Sequence, residues 1–178
     1  MDRVPAPEDA AAGRAGMPLA DQVVDALRVH AADDADVVHH LARWLGVNPA
    51  DARAFGEVLY AQERGTPLSP TVLAGRLGLS SGATTALLNR LETAGLLVRS
   101  REHRDRRVVT LRIVPQVQEQ ADRFFAPLAT RVDEMMASHP EELLRSVVGI
   151  LDELHLAVAE VVQGFDGSTA PRPGRPGR

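Results

Sequence analysis

Residues Ser69 to Ser100 read SPTVLAGRLGLSSGATTALLNRLETAGLLVRS, and this stretch decides the fold. Ser69 can cap a short helix whose first position, Pro70, lacks only an amide hydrogen that the first turn would leave unpaired anyway. Gly78 ends that helix, Ser80 caps a longer one, SGATTALLNRLETAG, and Gly95 stops it. Two helices joined by a tight turn that contains glycine form a helix-turn-helix. Beyond it, LLVRS and RVVTLRI are strand-like runs separated by REHRDR. The second run alternates, with Val108, Thr110 and Arg112 on one face and Val109, Leu111 and Ile113 on the other. The order helix, turn, helix, hairpin predicts a winged helix with a basic wing tip.

The charge along the chain supports a DNA-facing reading of that unit. All twenty basic residues are arginine, and the chain has a formal net charge of −4. From Arg64 to Arg112, nine arginines stand against Glu92, Glu102 and Asp105, a net of +6, so the rest of the chain carries −10. With Ala, Gly and Pro also abundant, the use of arginine in place of lysine says little at any one position; the partition of charge says more. A basic hairpin beside a helix-turn-helix can reach phosphates or the narrow minor groove, while the second helix meets base edges in the major groove.

Outward from this unit the pattern is helical. Leu19, Val23, Leu27, then Val37 or Val38, Leu41 and Leu45 recur at three- and four-residue spacing, with ADDAD at 32–36 as a candidate break. In GVNPAD, Gly46 ends this helix, and Asn48 caps the next with Pro49 first and Asp51 in the first turn; that helix runs from about 49 to 63 and buries Phe55, Val58 and Leu59. Two more helices are expected over 115–138 and 141–163, the last with a broad apolar face of Leu144, Val147, Val148, Leu151, Leu154, Val158, Val161 and Val162 that needs a partner. The expected organisation is a disordered tail over 1–17, helical regions over 18–48 and 115–164, a DNA-binding winged helix over 49–114, and a disordered tail over 165–178. The fold class is mainly α with a small β-hairpin wing.

On the second helix of the pair, Thr84, Leu87, Leu88 and Leu91 form a core-facing stripe. Ser81, Gly82, Thr85, Ala86 and Asn89 then face a groove, flanked by Ser80 and Arg90. Asn89 can pair with adenine, and Thr85 and Ala86 can touch thymine methyls, so few strong base contacts are expected and DNA shape carries much of the selectivity. Ser69, Thr71 and Ser80 lie at helix starts, where hydroxyls and free backbone amides hold phosphate.

Residues 68–113 resemble the MarR (multiple antibiotic resistance regulator) family of winged-helix repressors, most specifically through LAGRLGLS, RLETAGLLVR and DRRVVTLRI, with weaker similarity over most of the folded chain. The resemblance implies a homodimer that binds a near-palindromic operator, with the intertwined terminal helices over 18–48 and 115–164 as its dimerisation region and repression as the expected mode. It also implies that Arg107 enters the minor groove, oriented by Asp105, the two forming the family's wing signature. Arg101, Arg104 and Arg106 complete the basic wing, with Arg104 and Arg106 assigned to phosphates. One departure stands out: where the family has a Leu-Thr-Pro-like cap after the second wing strand, this chain has IVPQ, so the hydroxyl cap is missing.

Asp36, His39 and His40 suggest a metal site, but only Asp36 and His40 share a helix face and two ligands fall short of a set, so neither a metal nor another cofactor is expected. His39, His40, Trp44 and Phe55 form a candidate pocket for a small-molecule effector, although Trp44 and Phe55 also fit simple core packing. No catalytic triad, phosphate-binding glycine loop or partner for Tyr60 is visible, so an enzyme is not expected. Zero cysteines exclude a thiol switch. With no apolar leader in MDRVPAPEDAAAGRAG and no membrane-length apolar run, the expected location is the cytoplasm, at the nucleoid. The competing class is an architectural DNA-binding or protein-scaffold module without a regulatory role.

Overall fold

The computed structural model describes Arg14, residues 16–101 and residues 109–164. The two predicted tails, apart from Arg14 and residues 16–17, lie outside the described residues. The chain divides into two compact units, one ending at Gln120 and the other beginning at Ala121.

In the first unit, α1 (Leu19–Leu45) is one unbroken helix. The candidate break at 32–36 does not occur: Asp33, Asp34 and Asp36 are exposed, and the alanines among them are strong helix formers. Only Leu41 and Ala42, near its end, are buried. Gly46, at φ 70°, turns the chain out of the helix, and the Val47 amide closes back on the Ala42 carbonyl at 3.0 Å.

The centre of the core is α2 (Pro49–Glu63), which buries Ala52, Ala54, Phe55, Val58, Leu59 and Ala61. Asn48 caps it, its side-chain oxygen accepting from the Asp51 amide at 2.9 Å. Across α2 lie α3 (Pro70–Leu77) and α4 (Ser81–Thr93), capped as predicted by Ser69 and Ser80, with Gly78 left-handed between them. Leu73 from α3 and Thr84, Leu87, Leu88 and Leu91 from α4 close the core.

Strands β1 (Leu97–Ser100) and β2 (Thr110–Ile113) pair antiparallel, Leu97 opposite Ile113 and Ser100 opposite Thr110. Leu97, Leu111 and Ile113 face inward, as the period-two pattern requires. The hairpin is tied down twice more. The Leu111 amide donates to the Leu68 carbonyl at 2.8 Å, and the Ile113 amide donates to the side-chain oxygen of Gln62 at 3.0 Å. Helix α5 (Pro115–Ala137) then starts without a hydroxyl cap; the Val114 carbonyl accepts from the amides of Val117 and Gln118, both at 2.9 Å, which closes its first turn.

The second unit contains the rest of α5 and all of α6 (Glu141–Gln163), joined by a turn at Ser138–Pro140 in which the Ser138 hydroxyl donates to the Met135 carbonyl at 2.7 Å. Leu143, Val147, Ile150, Leu151, Leu154, Val158 and Val161 of α6 are all exposed in the single chain, as are Leu128, Val132, Met135 and Met136 of α5. No described helix is long and apolar enough to cross a membrane.

Candidate nucleic-acid interface

The outer face of α4 is built from what the buried stripe leaves over. With Thr84, Leu87, Leu88 and Leu91 fixed in the core, helical geometry turns Ser81, Gly82, Thr85, Ala86 and Asn89 to the surface, and all five are exposed. Small residues let a helix backbone approach a groove closely. The Thr85 hydroxyl is occupied, donating back to the Ser81 carbonyl at 2.9 Å. Asn89 therefore carries the strongest hydrogen-bonding capacity on this face.

Two ion-pair systems hold the face in position. The first starts at the α2 N-terminus. Asp51 is 3% exposed, and its carboxylate accepts from Asn48 Nδ2 at 2.8 Å and from Arg90 of α4 through Nε at 2.8 Å and Nη2 at 2.6 Å. A planar guanidinium meeting a carboxylate through two donors fixes direction as well as distance. These hydrogen bonds raise the Arg90 pKa above its ordinary value, with a smaller contribution from the charge of Asp51, so the cation persists at any practical pH. Arg90, counted by its sequence position among the groove-facing residues, is thus engaged in bracing α4 against α2.

The second system joins α4 to the wing. Glu92 accepts from the Arg99 backbone amide at 3.2 Å and forms an ion pair with its guanidinium, which also donates through Nη2 to Asn89 Oδ1 at 3.1 Å. A third pair, Arg76 to Glu57 at 3.0 Å, ties α3 to α2. Arg76, Arg90 and Arg99 thus answer acids within the fold, and Asp51 and Glu57 lie outside the 64–112 window in sequence. The basic segment is less basic in three dimensions than it is when counted along the chain.

At the helix starts the predicted caps are in place. Ser69 and Ser80 each accept, at 3.3 Å, from the amide three residues on, and Thr71 is exposed beside Ser69. Arg101, after β1, is exposed. Arg104, Asp105, Arg106 and Arg107 lie outside the described residues.

The four residues suggested for an effector pocket are not brought together. Phe55 is 0% exposed in the core, Trp44 is 40% exposed, and the His40 ring accepts from Arg43 at 2.8 Å on the surface. His39 instead lines a cavity of about 500 Å³ with Asp34 and Val38 of α1, Arg53 of α2, and Leu77 and Leu79 at the end of α3. The sequence pattern missed this cavity because Arg53, Leu77 and Leu79 reach it only through the fold. Tyr60 does have a partner, the Arg64 guanidinium 4.8 Å from its ring centre. Among the described residues no group of three or more His, Asp or Glu could hold a metal ion.

Known proteins are similar to this chain in sequence and in fold. Residues 45–108 match the sequence model of the MarR family. An uncharacterized HTH-type transcriptional regulator, YcgE, of Bacillus subtilis (strain 168) is 31% identical over 106 residues, which are 60% of this chain and 66% of that protein, just under two thirds of its length. Among solved structures, S. aureus MepR in its DNA-binding conformation superposes with a TM-score of 0.58 at 14% identity, covering 74% of this chain and 95% of that one. The transcription regulator MarR from Oenococcus oeni PSU-1 gives 0.56 at 15% identity, covering 74% and 97%. At such identities the structures speak for the fold alone. Residues 45–108 are thus similar to the MarR family, and the fold of the chain is a winged helix.

Proposed function

We propose that this protein is a sequence-specific transcriptional regulator that binds DNA as a homodimer and represses by occupying a near-palindromic operator. One observation carries the reading: α4 presents an exposed face of small residues around Asn89, while its opposite face is buried and its flanks are braced by Arg90 and Arg99. A helix fixed on three sides and bare on the fourth is suited to a major groove. In this reading the winged helix spans residues 49–114, Ser69 and Thr71 meet phosphates, and the wing arginines, Arg107 foremost, enter the flanking minor groove. The terminal helices over 18–48 and 115–164 supply the dimer, supported by the exposed apolar residues of α5 and α6, a larger apolar surface than a monomer ordinarily leaves in water.

A small-molecule effector fits the cavity beside His39 better than the grouping suggested by sequence. Its walls come from α1, α2 and the end of α3, so a ligand that prefers one spacing of these helices would shift the spacing of the two reading heads. The test of the whole reading is a selection from randomised DNA followed by anisotropy titrations at two salt concentrations. A preference of about a thousandfold or more for the selected site, with a steep salt slope, supports a regulator. Equal, weak binding to all sequences would replace it with an architectural module.

A further inference from the structure

We infer that Arg99, on the first wing strand, is a positioning residue that fixes the direction of the Asn89 side-chain amide and so couples the wing to base selection; this rests on the reading of α4 as the DNA-reading helix. The chemistry settles which way the amide points. A guanidinium has donors and no acceptor, so the Asn89 atom 3.1 Å from Arg99 Nη2 is the oxygen, and Nδ2 points the other way. Unrestrained, the terminal torsion of asparagine is broad and nearly two-fold, and both directions would be occupied.

Arg99 is itself held. Glu92 accepts from its backbone amide at 3.2 Å and pairs with its guanidinium, and the two side chains are each 30% exposed. Because the guanidinium plane is rigid, anchoring one edge on Glu92 sets the direction in which Nη2 meets Asn89. Glu92, Arg99 and Asn89 thus form a chain that begins on α4, crosses to β1 and returns to the exposed face of α4.

The direction matters because the major-groove edge of adenine offers one acceptor, N7, beside one donor, the N6 amino group. An asparagine amide matches this edge in one orientation only, Nδ2 to N7 and Oδ1 to N6; turned over, it sets donor against donor. The second lone pair of Oδ1 can accept from adenine while the first stays with Arg99. Held by Arg99, the amide meets adenine with its polarity already chosen and loses less freedom on docking. A shift of β1 against α4 would release that choice.

The experiment uses the full-length protein. The preferred site is found by selection, and affinities are measured for every single-base variant of one half-site with wild type, Asn89→Ala, Arg99→Met and the double variant. Asn89→Ala identifies the base pair that Asn89 reads. There Arg99→Met is expected to lose roughly tenfold of the wild-type preference, within the usual range for one base contact. Preferences at other base pairs and the salt slope should stay unchanged, and the double variant should lose no more than Asn89→Ala alone.

A uniform loss of affinity with a shallower salt slope would make Arg99 a phosphate contact and overturn the inference. Additive losses in the double variant would make it only a brace of the wing, with the same consequence. If Arg99→Met fails to fold by circular dichroism, Glu92→Gln takes its place and should relax the same base pair and no other; an unchanged preference there refutes the coupling. A wild type with no preferred sequence would remove the reading of α4 and this inference together, whereas a selective wild type without coupling removes the inference alone.

Discussion

Replacing Asp51 by alanine should expose how α4 is held, because the two ends of the Asp51–Arg90 pair sit in different surroundings. The Asp51 side chain is 4% exposed and that of Arg90 52%. In Asp51→Ala the buried charge is gone and Arg90 turns to water, which replaces its two lost hydrogen bonds. What is not replaced is the acceptor of Asn48 Nδ2, in a part-buried position, and the tie between α2 and α4. Leaving one such donor unsatisfied costs about 1–3 kcal/mol, so we expect a loss near 2 kcal/mol and a melting temperature lower by roughly 4–8 °C for a chain of this size. Arg90→Met does the opposite: it leaves the carboxylate buried with only Asn48 beside it, and should therefore destabilise more than Asp51→Ala does, although Arg90 is the more exposed partner. The double variant should resemble Asp51→Ala. Guanidinium unfolding at one fixed protein concentration measures all four proteins of the cycle, with equal slopes as the check on two-state behaviour. If Arg90→Met proves the milder change, or the two losses simply add, the pair does not hold α4 as argued.

Other outcomes follow from the same structure. Leu91→Ala, on the buried side of α4 where Leu91 is 0% exposed, should cost about 3 kcal/mol in the same unfolding experiment. Leu154→Arg, on the exposed apolar face of α6, should weaken self-association by roughly a hundredfold, seen by light scattering as monomer at micromolar concentration, with operator binding lost in parallel; an unchanged dimer would move the interface elsewhere. Arg107→Ala should weaken operator binding while the dimer stays folded, and unaltered anisotropy curves would remove its minor-groove role.

Elements were legible in the sequence where local chemistry decides them. Asn48 and Pro49, Ser69 and Pro70, Gly78, Ser80 and Gly95 mark helix ends that need no distant partner, and each stands where the fold uses it. The alternation from Thr110 to Ile113 fixed which side of the hairpin is inward for the same reason. The acids at 33–36 misled because a short polar run resembles a break; on an exposed stretch of helix among alanines it is only the solvated side.

The contacts that aim the site were harder to read, since they join residues far apart in the chain or across a turn. Asp51 and Arg90 are 39 positions apart, and nothing in either neighbourhood names the other. Arg99 lies ten positions from Asn89, yet the contact depends on the turn after α4 delivering β1 alongside it. Counting charges along the chain could not see that Asp51 and Glu57 fold back onto the arginine-rich segment, so it credited to DNA some positive charge that the protein itself uses. On the proposed function, arginines anchored on acids set the direction of α4 and of Asn89, and the wing arginines beyond Ser100 supply charge for DNA. On that division, the salt dependence of DNA binding should respond to the wing arginines, while Arg90 and Arg99 should govern stability and base preference.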